Sequence, residues 1–86
     1  MTYEELREAA RRQPFEPFRI ILTTGTTYDI RHPDLIWIGR RSANIGITHQ
    51  PDGKVYDYSI KVDLLHIVGI EELPAASPPS SNGPTA

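Results

Sequence analysis

From Phe18 to Ile70 short runs of apolar residues with a period of two recur between turn signals, and after residue 12 nothing longer than a single turn carries a helical period. That alternation is the strongest limit on the fold. Side chains that alternate between two faces build strands, and strands with no crossover helices between them pair antiparallel. Phe18, Ile20 and Leu22 alternate with Arg19, Ile21 and Thr23. Thr24-Gly25 supplies a turn, and Tyr28 and Ile30 resume one face, so residues 18–31 read as a hairpin. Leu35 to Ile38 forms a third strand that ends at Gly39. Arg40-Arg41-Ser42 is a connection, and Ala43, Ile45 and Ile47 alternate in a fourth strand. Gln50-Pro51-Asp52-Gly53 has the residues of a tight turn. Val55 to Val62 is a fifth run, with Tyr56, Tyr58, Ile60 and Val62 on one side. Asp63 then caps a single helical turn through His66, and Ile67, Val68 and Ile70 give a last short strand.

Within this pattern His32-Pro33-Asp34 stands out. Proline has no N–H to give a strand ladder, so it marks an edge or a bend. We read the triplet as a corner that re-aims the chain between Ile30 and Leu35, with Gly39 as a second corner. The opening is different. Thr2 is placed as an N-cap and Glu5 completes a capping box, while Tyr3, Leu6 and Ala10 make a narrow apolar stripe. A short helix over residues 2–12 follows, with Glu8 and Arg12 spaced as an i,i+4 pair and Pro14 stopping it.

Eighty-six residues make one small domain, read as residues 1–73, with a tail at 74–86. The tail, PAASPPSSNGPTA, has nothing large to bury and is expected to be disordered. A core of this size supplies only about 3–5 kcal/mol unless a disulfide, a metal or a partner adds to it. The chain has no cysteine, which removes the disulfide, a thiol nucleophile and a thiolate metal site together. Neither a basic, apolar leader nor an apolar run of membrane-spanning length is present, so the expectation is a soluble, cytoplasmic protein with no membrane partner. The fold expected from these features is mainly β (α+β): a short N-terminal helix and a five- to six-stranded antiparallel barrel or strongly bent sheet.

The run PFRIILTTGTTYDI from Pro17 to Ile30, followed by RHPDLIWIG and later LLHIVGIEEL, resembles a family of small uncharacterised bacterial proteins. They share a Pro-Phe-Arg, a Thr-x-Gly turn and a His-Pro step in this order. The resemblance covers most of residues 14–73 and implies no catalytic residue. In topology the chain is also similar to Sm-like and SH3-like barrels, which implies a small closed sheet behind the helix.

Several residue groups bear on chemistry. His32 and Asp34 suit an acid–base pair, yet no nucleophile or substrate-orienting partner accompanies them. The three histidines lack metal-ligand spacing, and His66 sits in the apolar run LLHIV. There is no nucleophile elbow around Ser42 or Ser59 and no glycine-rich phosphate loop. The reading is therefore a non-enzyme with no cofactor, no metal and no small-molecule substrate. Trp37, Arg40 and Arg41 are the candidates for contact, because Trp and Arg bury much area and keep a polar handle. Tyr56 and Tyr58 add stacking faces, and Arg31 a further guanidinium. All seven arginines lie in the first half of a chain whose net charge is −2, so a nucleic acid would meet only a local basic patch. The expected function is a binding or assembly module that contacts a protein partner or a second copy of itself, through an edge strand or an apolar face. The alternative is a small RNA- or DNA-binding protein that uses Arg31, Arg40, Arg41 and the tyrosines. An accessory subunit of an enzyme, with no active site of its own, is a third.

Overall fold

The computed structural model describes residues 1–50 and 55–74. Most of the expected Gln50–Gly53 turn, and the tail from residue 75 onward, lie outside the described residues. The chain opens with helix α1 (Tyr3–Arg11). Its capping box forms: the Glu5 N–H donates to Thr2 Oγ1 at 3.1 Å, and the Thr2 N–H donates to Glu5 Oε1 at 3.0 Å. Two backbone donors at the helix start are thereby satisfied. Leu6 and Ala10 are buried on the expected stripe. Arg12 does not pair with Glu8. It reaches past the helix end to Glu16 at 2.9 Å and toward Glu72 at 3.7 Å, because the turning chain brings those carboxylates closer.

Among the described residues six strands follow: β1 (Phe18–Leu22), β2 (Thr27–Ile30), β3 (Ile36–Ile38), β4 (Ser42–Ile47), β5 (Tyr58–Asp63) and β6 (Ile67–Glu72). Their pairings are antiparallel, and they form two three-stranded sheets, β2-β1-β6 and β3-β4-β5. The expected five- to six-stranded antiparallel barrel or strongly bent sheet is borne out as a mainly β body with one short helix, but the described strands pair as two separate three-stranded sheets and do not close a barrel. The divisions have local causes. His32 is extended, and Pro33–Leu35 then makes one 3-10 turn between β2 and β3, which interrupts strand pairing where the His-Pro-Asp corner was expected. A second 3-10 turn, Leu64–His66, separates β5 from β6, and Asp63 caps it by accepting from the Leu65 N–H at 2.9 Å.

The alternation now has a target. Phe18, Ile20, Ile30 and Ile67 from one sheet meet Ile36, Ala43, Ile45, Val62 and Leu64 from the other side, and Leu6 and Ala10 of α1 join the same cluster. Each large aliphatic side chain fully removed from water there contributes about 1.5–3 kcal/mol. No polar or charged residue among those described is buried. The hairpin between β1 and β2 closes through Gly25, whose φ of +90° lies in the region that suits glycine.

Candidate protein-interaction surface

β4 is the central strand of its sheet, so its residues send side chains to two different environments. Ala43 and Ile45 enter the core. Asn44 and Gly46 face the other way, and the register places Trp37 beside Asn44 and Lys61 beyond it, with Ser59 beside Gly46. This outer face carries a second, smaller apolar group. Leu35, from the 3-10 turn, is buried yet stands apart from the main core cluster. Trp37 and Tyr56 lie on this side as well, with ring centroids 5.1 Å apart and planes at 74°, an edge-to-face contact.

The floor beneath the tyrosine is Gly46. A Cβ built there would lie 2.9 Å from Tyr56 Cβ, 3.1 Å from its Cγ and 3.3 Å from Leu35 Cδ2. A bare backbone is what lets the ring settle against the sheet. The pair is nevertheless open to solvent, Trp37 at 40% and Tyr56 at 44% of full exposure. Lys61, Asn44 and Ser59 border it with polar side chains.

The structure divides the sequence-predicted contact residues into separate places. Trp37 and Tyr56 come together. Tyr58 does not join them. It pairs in register with Ile47 on the opposite face of the sheet, so the expectation that Tyr56 and Tyr58 share a side is corrected. The strand begins only at Tyr58. The chain before it is drawn across β4 by the Asp57 N–H, which donates to the Ile47 carbonyl at 2.7 Å, and this breaks the alternation that the sequence suggested. Arg40 and Arg41 are exposed in the β3–β4 connection and border a groove of about 400 Å³ with Thr2, Asp63 and Leu65. Arg31, just after β2, has its Nη2 3.8 Å from Asp29 Oδ2 and lines a cleft shared with Leu35 and Gly46.

Sequence reasoning passed over two contributors to the outer face, Leu35 as its buried anchor and Gly46 as its floor. A glycine inside an apolar strand is a known mark of close approach, so Gly46 had a signal. It also passed over the charged cluster on the outer side of the other sheet. There Arg19 Nε donates to Asp29 Oδ1 at 2.8 Å and Arg19 Nη1 to Glu71 Oε1 at 3.2 Å. The hydrogen bond and charge of Asp29, with Glu71 adding to them, hold the Arg19 proton still more firmly than usual. Among the described residues no group of three or more His, Asp or Glu side chains could hold a metal ion. No described helix is long and apolar enough to cross a membrane. No family model, no curated protein and no solved structure matches the chain.

Proposed function

We propose that this chain is a non-enzymatic protein-binding and assembly module that docks a partner on the Trp37–Tyr56 face. The observation that carries this reading is the pair itself: two aromatic rings in edge contact, about two-fifths exposed, mounted on a buried leucine and a glycine. Aromatic anchors ringed by small polar groups are the usual make-up of an interaction hot spot. In the same proposal the two sheets are halves of one SH3- or Sm-like curled ribbon, cornered at Pro33 and Leu64. The kinship with the small bacterial family sharing the Pro-Phe-Arg and His-Pro steps belongs to it as well. Leu65 at 81% and Val68 at 61% exposure add a further apolar surface, which supports self-association as a part of assembly.

The test is affinity capture with the full chain from the native host, then reconstitution with each purified candidate partner. Wild-type protein is expected to bind at micromolar concentration, and Trp37→Ala to weaken binding by about 30-fold, the effect of a hot spot worth roughly 2 kcal/mol. Equal binding by wild type and the variant would end the reading. Nucleic-acid binding keeps one supporting observation, the position of Lys61 in the same cross-strand row as Trp37. It calls for affinity for mixed RNA that falls steeply with salt. The separation of Arg31 from Arg40 and Arg41 weighs against a single basic patch.

A further inference from the structure

The outer edge of β2 is the other unusual surface. Among the described residues β2 has a strand on one side only, β1. The phase of that hairpin follows from one bond, the Leu22 N–H donating to the Thr26 carbonyl at 2.9 Å. Counting by twos along the register, Ile20–Tyr28 and Phe18–Ile30 are the pairs that exchange bonds across the hairpin. Thr27 and Asp29 therefore turn their backbone N–H and C=O groups away from β1. Both residues line a cleft of about 450 Å³ that runs between β2 and the end of β4. The far wall is Leu35, Ile47 and Thr48.

The charge of this cleft is uneven. Among the described residues that line it Asp29 is the one carboxylate, shared between the guanidinium groups of Arg19 and Arg31. Arg19 is also held by Glu71 from the side of β6. Arg31, at 3.8 Å from Asp29, has the looser contact and lines the same cleft.

We propose that this cleft takes an extended acidic peptide, which adds as a strand to β2 and places a carboxylate on Arg31. The backbone groups of Thr27 and Asp29 supply the ladder. Leu35 and Ile47 supply apolar contact for alternate side chains, and Arg31 supplies the preference for acid. The inference rests on the reading of the chain as a protein-binding module and gives it a second surface, which adjoins the aromatic face through Leu35 and Gly46.

The test uses the full isotope-labelled chain and three capped hexapeptides: alternating Glu-Val, alternating Lys-Val, and the Glu-Val sequence N-methylated at every second residue. The Glu-Val peptide is expected to shift the amide signals of Thr27, Asp29 and Arg31 and to slow hydrogen exchange at Asp29 about tenfold. N-methylation is expected to abolish this, since it removes the ladder donors. Arg31→Ala is expected to weaken the Glu-Val peptide about fivefold, and Arg31→Glu to transfer the preference to Lys-Val. Three results would overturn the proposal: no change at these amides at millimolar peptide, equal effects of the plain and N-methylated peptides, or protection of the same amides that grows with protein concentration alone. The last would assign the edge to a second copy. The Trp37→Ala variant separates the two surfaces. Retained protection at Asp29 in that variant supports the β2 site even if the aromatic face proves to have no partner.

Discussion

At the scale of single residues, the outer face depends on a missing side chain. Gly46→Ala places a methyl group 2.9 Å from Tyr56 Cβ, and neither ring nor strand has an easy way to yield. The expected cost is about 1–3 kcal/mol of overpacking, read as a lower denaturant midpoint. The same variant is expected to abolish the proton cross-relaxation between the Trp37 and Tyr56 rings in the NMR spectrum. An unchanged midpoint would show that Tyr56 is not seated there. The helix start offers a second residue-scale prediction. Thr2→Ala removes the cap and is expected to cost about 1 kcal/mol in the same measurement. The Glu5 carboxyl titrates below its ordinary value, first because it accepts the Thr2 backbone N–H and then because it accepts the Thr2 hydroxyl. A carboxyl depressed in the folded state adds stability above its unfolded value and loses it as pH falls through the folded value. Helix α1 is therefore expected to loosen on acidification into the carboxylate range, seen as a falling helical signal in its backbone chemical shifts, and Glu5→Gln to remove that part of the pH dependence.

At the scale of elements, the hairpin turn is the sharpest case. Gly25 sits at φ +90° with nothing within 4 Å of where a Cβ would stand, so Gly25→Ala meets backbone strain and no clash. A loss of about 1–2 kcal/mol is expected, visible as faster exchange at the hairpin amides. Most elements were legible in the sequence because local chemistry wrote them. Thr2 with Glu5 marked the helix start, Gly25 the hairpin, and Asp63 the cap of the turn before β6. Pro33 marked the corner for the same reason, a missing donor. What could not be read depends on contacts between distant residues. Tyr56 continues the alternation of Tyr58, Ile60 and Val62 on paper, but the bond from Asp57 to Ile47 ends the strand first and sends Tyr56 to the opposite face. Leu35 reads as the first residue of a core strand. In the fold it belongs to the corner and anchors the outer aromatic pair. The candidate site was thus half legible: the residue types were visible, and the pairing of Trp37 with Tyr56 rather than with the arginines was not.

At the scale of the whole molecule, two three-stranded sheets and one helix share a single apolar cluster. A substitution at its centre acts on all of them at once. Ile45 is fully buried on the middle strand, and Ile45→Ala is expected to cost about 2–5 kcal/mol, which approaches the whole stability of so small a core. Amide protection falling in both sheets together, rather than in one, would mark the body as a single cooperative unit. Assembly is judged at this scale too. Light scattering across micromolar concentrations is expected to show mass rising with concentration, and Leu65→Ser to reduce that rise; a constant monomer mass would remove self-association from the proposed function. The chain's only indole, that of Trp37, lies outside the apolar cluster and against a tyrosine on the surface. Its emission consequently reports the outer face of that sheet and not the interior. Far-ultraviolet ellipticity follows the body of the fold, so any interval between the two melting curves measures how independently that face loosens.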